Sequence, residues 1–138
     1  MAVSSDLGDA LDVHPTRKKE VGERLALQAL NHTYKRSVVS NGPVAADARK
    51  VGNAVVVSFA PGSMLSTRDK AKLIGFELIT EKGNRLTVPA TIVKSKVQLV
   101  VPAGQKVKTV CYSWQPFSKA NLVNEAGLPA STFSMPIQ

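Results

Sequence analysis

Hydrophobic positions along the chain follow two regimes. Between residues 16 and 31 they recur at helical spacing: Val21, Gly22, Leu25, Ala26, Ala29 and Leu30 take the i, i+1, i+4, i+5, i+8 and i+9 positions of one face. The spacing predicts an amphipathic helix over 16–31, with Thr16 as N-cap and Asn31 as stop. Gly22 in its interior costs about 1 kcal/mol against alanine and points to close packing against another surface. Beyond Pro43 the pattern changes to short apolar runs rich in Val, Ile, Phe and Tyr, broken by Gly, Pro, Asn and Ser at intervals of about ten residues. Strands are expected at 54–59, 73–80, 85–93, 96–101 and 106–114, with Glu81, Lys82, Gly83 and Asn84 turning a hairpin between the second and third. Alternation places Ile74, Phe76 and Leu78, then Val97, Leu99 and Val101, then Val110, Tyr112 and Trp114 on one core. The turn formers Ser40, Asn41, Gly42 and Pro43 separate residues 1–40 from 41–138. The expected fold is mostly β: an immunoglobulin-like β-sandwich of about seven or eight strands, preceded by one amphipathic helix.

Length and composition narrow the function. A chain of 138 residues fits one ordinary domain, or a small domain with an attached segment. With 43% hydrophobic and 20% charged residues it is globular in composition, and no apolar run approaches the ~18 residues of a membrane span. The start, MAVSSDLGDALDVHP, has no basic stretch leading into an apolar one and so is not a signal peptide; it reads like the interior of a longer protein behind Met1. Cys111 has no second cysteine to pair with and is expected as a small buried hydrophobe. No Cys/His cluster has zinc spacing, so neither metal nor cofactor is expected. The net charge of +8 raises the question of nucleic acid. Its basic residues are scattered from Arg17 to Lys119, and aromatics at 5% leave few stacking platforms, so nucleic-acid binding is not expected.

The chemistry-bearing motif is Asp12-Val13-His14-Pro15. Serine esterases need an imidazole to take the serine proton and a carboxylate to hold its tautomer, and this run offers both in a loop before a helix. Taken alone the spacing is weak, because a surface histidine near a helix start is common. Residues 6–27, DLGDALDVHPTRKKEVGERLAL, extend it: they resemble the segment of the sialate O-acetylesterase family in which Asp-Ile/Val-His-Pro precedes a helix of the form K-x-x-V-G-x-R-L-A, matched here by Lys18, Val21, Gly22, Arg24, Leu25 and Ala26. Gly75-Phe76-Glu77 is similar to a G-F-E strand of that family. Tyr112-Ser113-Trp114 followed by ANLVNEAGLPASTF resembles its closing signature, N-L-x-N-x-x-G-L-P-A-x-x-F.

The resemblance implies an SGNH-type hydrolase acting on an O-acetylated sugar such as sialic acid, with serine and oxyanion-hole residues in N-terminal blocks. No G-D-S block or comparable nucleophile elbow occurs here. The chain is therefore expected to be the C-terminal part of such an esterase, inactive alone and partnered by an N-terminal SGNH catalytic domain, in a periplasmic or secreted parent. Residues 1–40, with the helix, then belong to the esterase domain and 41–138 form the sandwich. His14 is implied as general base with Asp12 as its carboxylate. Asp9 is the second choice, since the superfamily commonly has Asp three residues before His and Leu11 stands there.

Asn121, Asn124, Gly127 and Pro129 are turn formers, expected to fold a closing loop over the sandwich with Leu122, Leu128 and Phe133 on its core. If that loop instead borders the active-site mouth, Asn121 and Asn124 are candidate sugar-binding residues. Trp114 is expected in the core, not as a carbohydrate platform, because it alternates with Val110 and Tyr112. The competing reading is a structural or glycan-binding β-sandwich without catalysis.

Overall fold

The structure, a computed structural model, describes every residue except Val13, Pro15 and Ser63. One helix, α1 (Lys18–Gln28), precedes the strands β1 (Ala45–Val51), β2 (Ala54–Phe59), β3 (Leu65–Thr67), β4 (Phe76–Thr80), β5 (Arg85–Thr87), β6 (Ala90–Val93), β7 (Lys96–Val100), β8 (Val107–Tyr112), β9 (Leu122–Asn124) and β10 (Phe133–Pro136). Two four-stranded antiparallel sheets, ordered β1-β2-β7-β6 and β10-β8-β4-β5, form a sandwich, and β3 pairs with β9 as a separate ribbon. Taken in chain order, the two sheets follow the A-B-E-D and G-F-C orders of immunoglobulin-like sandwiches, with β5 added beside β4.

Register explains the core. Val55 lies opposite Leu99 and Val57 opposite Val97 in one sheet, while Phe76 faces Tyr112 and Leu78 faces Val110 in the other. All eight are buried in a single cluster, each worth about 1.5–3 kcal/mol on leaving water. Phe133 from β10 stacks on Tyr112 with ring centroids 5.8 Å apart, and Tyr112 in turn lies 4.7 Å from Phe76. The last residue ties the sheets at their edge: Gln138 N–H donates to the Ala48 carbonyl and its carbonyl accepts from Lys50 N–H, both at 2.9 Å.

Several expectations change. The run 85–93 is two strands. Pro89, which has no N–H for a ladder, breaks it, so β5 pairs with β4 and β6 crosses to β7 in the opposite sheet. Strand β1, AADARKV, buries only Ala48 at an edge, which leaves no alternation to read; Gly52, at φ 59, opens its two-residue turn to β2. Ile74 and Trp114 are exposed, against expectation. Gly75 (φ 102) and Ser113 (φ 49) turn the backbone at the adjoining ends of β4 and β8, where Ser113 N–H donates to the Gly75 carbonyl at 2.9 Å. Those turns end the period-two pattern, and the next side chain leaves the core.

The helix begins after Arg17, without a side-chain cap, and runs into a π-helical turn over Ala29–Thr33. Its orientation leaves most of the expected apolar face uncovered. Gly22, Leu25, Ala26, Ala29 and Leu30 face outward, and only Val21 of the expected apolar face is half-buried. The side toward the protein carries Arg24, Leu27, Gln28 and Asn31, because polar bonds hold it there. Gln28 Nε2 bonds the Asn41 side chain at 2.9 Å and the Ser40 carbonyl, and Asn31 Nδ2 donates to the Val38 carbonyl at 2.8 Å.

Candidate functional site

The loop before α1 brings one of the two candidate carboxylates to the histidine. Asp12 Oδ1 accepts the backbone N–H of His14 at 2.8 Å and lies 3.2 Å from its Nδ1. Aspartate readily bonds the backbone two residues onward, so the D-x-H spacing fixes the ring beside the carboxylate locally. Asp9 makes the same turn with Leu11 N–H at 2.8 Å and leaves His14 alone. Val13 and Pro15 of the motif lie outside the described residues. When Nδ1–H donates to Asp12, Nε2 keeps its lone pair and faces outward: the His14 side chain is 86% exposed and that of Asp12 55%. Among the described residues no serine hydroxyl bonds the His14 ring, and no group of His, Cys, Asp or Glu gathers as a metal site.

Beside the pair opens a cavity of about 480 Å³ lined in part by Ser4, Leu7, Asp9, Asp12, Val21 and Pro116, so the loop, α1 and the β8–β9 connection all contribute to it. A clamp holds these parts together. The Arg24 guanidinium grips Asp6 with two bonds, 2.6 and 2.9 Å, and Arg68 reaches the same carboxylate at 2.8 Å from the β3–β4 connection. The Asp6 side chain is only 4% exposed, and Leu7 beside it is buried. Burial pushes the Asp6 carboxyl up, but the Arg24 hydrogen bond and the charges of Arg24 and Arg68 outweigh it and hold the group below its ordinary value. The sequence reading missed this clamp. Arg24 stood in the quoted helix motif, but nothing in the spacing named Asp6 and Arg68 as its partners.

Asn121 and Asn124 sit inside the closing loop. Asn124 Oδ1 accepts Ala126 N–H at 3.1 Å and Leu128 N–H at 2.9 Å, while its Nδ2 donates to the Asn41 carbonyl at 3.0 Å. Asn121 Oδ1 accepts Ile74 N–H, and its Nδ2 donates to the Lys72 carbonyl, both at 3.0 Å. Both residues are buried, and these bonds shape the loop. Leu122 and Leu128 close on the core, and Leu122 N–H donates to the Tyr112 hydroxyl at 2.8 Å. Burial raises the Tyr112 phenol to about 12. Trp114, expected in the core, stands at the surface instead, 52% exposed.

Fold and loop together define a mostly-β domain that presents an exposed aspartate–histidine pair. No protein-family model and no curated protein matches the chain. Among solved structures it is similar to a carbohydrate acetylesterase from Xanthomonas citri, with a TM-score of 0.88 and 32% sequence identity over 94% of this chain and 31% of that one. The likeness relates the chain to a carbohydrate esterase, of which it spans about a third of the length.

Proposed function

We propose that the chain is the part of a carbohydrate O-acetylesterase that supplies the general base and its carboxylate, while a separate SGNH-type portion supplies serine and the oxyanion hole. The observation that carries this reading is the pairing of Asp12 with His14 at 3.2 Å while the ring remains open to an incoming group. The likeness to an acetylesterase three times as long supports it, as does the outward apolar face of α1, a natural seat for that portion.

In this mechanism His14 Nε2 takes the serine proton as the hydroxyl attacks the acetyl carbonyl, and Asp12 stabilises the imidazolium that forms. The imidazolium returns the proton to the departing sugar oxygen, leaving an acetyl-enzyme and free sugar. Water, activated by the same nitrogen, then releases acetate and restores serine. An O-acetylated sialic acid is the proposed substrate.

The test is made in the complete enzyme. His14→Ala is expected to lower kcat by about four orders of magnitude or more, with little change in Tm because the residue lies in an exposed loop. Retention of more than about a tenth of kcat refutes the assignment. The chain alone is expected to hydrolyse 4-nitrophenyl acetate no faster than free imidazole; turnover abolished by a serine-directed phosphonate contradicts the need for a second portion.

A further inference from the structure

We propose that Trp114 is a sugar-stacking platform, its indole face receiving the apolar face of a pyranose ring beside the Asp12–His14 loop. The inference deepens the esterase reading and rests on it for the identity of the ligand. The chain presents this one side chain in an unusual way. Strand β8 buries Val110 and Tyr112 and, by simple alternation, directs residue 114 to the same core. Ser113 instead adopts φ 49, a left-handed conformation that side chains rarely take, and Trp114 emerges 52% exposed. Strained backbone of this kind persists where its surroundings over-determine it and is frequent at ligand clamps.

The surroundings do fix it. Ser113 N–H is held by the Gly75 carbonyl, and Arg85 Nη2 donates to the Trp114 carbonyl at 3.2 Å. Arg85 is itself anchored by Glu77. The indole therefore stands on a braced backbone, as a preorganised binding element requires. Around it lies an open hollow of about 320 Å³ lined by Ser113, Trp114, Gln115, Pro116 and Thr132. An exposed aromatic face with the Thr132 hydroxyl in the lining of its hollow suits a pyranose, which offers C–H groups on its faces and hydroxyls at its edge. Pro116 also lines the larger cavity under Asp9 and Asp12, so the two hollows adjoin. A glycan seated on Trp114 thus lies next to the histidine loop.

Trp114 is the sole tryptophan of the chain, so its fluorescence reports this position alone. The 138-residue chain is titrated with N-acetylneuraminic acid, its methyl glycoside and xylo-oligosaccharides. A saturable blue shift or quench at about millimolar sugar is expected. By calorimetry Trp114→Tyr should keep the binding and Trp114→Ala weaken it at least tenfold, with Tm showing that both variants fold. No spectral response to any of these sugars, or equal binding by Trp114→Ala, overturns the proposal. So does an emission shift produced only by the serine-bearing portion, which would make Trp114 a protein contact. A separate arm keeps the two readings apart: in the complete enzyme, 4-nitrophenyl acetate reacts without reaching Trp114. If His14→Ala abolishes that turnover but sugars leave Trp114 unaffected, the platform fails and the esterase stands. If His14→Ala retains turnover while sugars shift Trp114, the esterase fails and the platform stands.

Discussion

Replacing Asp6 by asparagine keeps its shape and removes the only charge between two guanidinium groups. Arg24 is nearly buried and donates to both oxygens of the carboxylate, whereas Arg68 is 40% exposed and can turn to water. Breaking a buried ion pair from one side costs about 3–5 kcal/mol, and the escape of Arg68 places this case at the lower end, about 3 kcal/mol. That loss falls on a definite element. An 11-residue helix is marginal on its own in water, and no residue of α1 is buried, so the polar clamp is a main source of its protection. Hydrogen exchange in the variant should therefore accelerate about 100-fold across α1, at about 1.4 kcal/mol per decade. Amides of Val55, Leu99 and Val110 in the sandwich should keep their rates. Arg68→Gln, which removes the exposed partner, should change α1 exchange by less than about fivefold.

The same clamp predicts an acid response. Because the folded carboxyl lies below its ordinary value, its contribution is complete above the unfolded pKa of about 3.9 and disappears as pH falls through the lowered folded value. Protection factors in α1, which divide out the pH dependence of intrinsic amide exchange, should therefore fall on acidification in the parent chain, and much less in Asp6→Asn. Exchange in α1 that changes less than about threefold on substitution at neutral pH would refute the reasoning, because the helix would then be held by contacts other than Asp6.

Four further outcomes follow from the geometry. In the complete enzyme Asp12→Asn should lower kcat by about 10⁴, and Asp9→Asn by less than about tenfold; steady-state kinetics showing the reverse ranking would move the orienting role to Asp9. Tyr112→Phe removes the hydroxyl that receives Leu122 N–H and should cost about 1–2 kcal/mol in urea unfolding. With the folded phenol raised to about 12, Tyr112 supports stability below the unfolded value near 10, and that support declines as pH rises toward 12, measurable by tyrosine absorbance and circular dichroism in alkali. Gly75→Ala combines an unfavourable φ with a collision against the Ala120 side chain, so a loss above about 2 kcal/mol is expected by the same unfolding assay.

What the sequence made legible was the part that follows a period. Strands β2, β7 and β8 and the hairpin at Glu81–Asn84 appear close to their expected places, because burial on one face writes itself as alternation. Cys111 is buried, as a lone cysteine in an apolar run suggests. The period broke where the backbone turned. Ser113 carries no composition signal for a positive φ, and Pro89 marked a break that the apolar run on either side of it concealed. Edge strands β1 and β10 were missed because half of each faces water and the pattern is diluted. At the site, the Asp12–His14 contact was accessible from spacing because both groups are local. The Asp6–Arg68 bond spans 62 positions, and no single-sequence pattern encodes a contact of that separation.

The two unusual exposures have one physical resolution on the reading proposed. In water, charges about 4 Å apart interact by only about 1 kcal/mol, against about 4 at the lower effective dielectric near a protein surface. Charges at an Asp12–His14 pair open to solvent therefore interact weakly until another surface excludes water. The helix that follows and its π-helical turn offer Leu25 and Leu30 to solvent, and covering either recovers up to about 1.5–3 kcal/mol of apolar burial. A serine-bearing portion seated on α1 would then do both at once: the helix supplies affinity, and its approach lowers the dielectric around the histidine as the nucleophile arrives. The polar clamp on the opposite face of α1 acquires a reason in this arrangement. It holds the helix with Leu25 turned to solvent, where a partner surface can cover it.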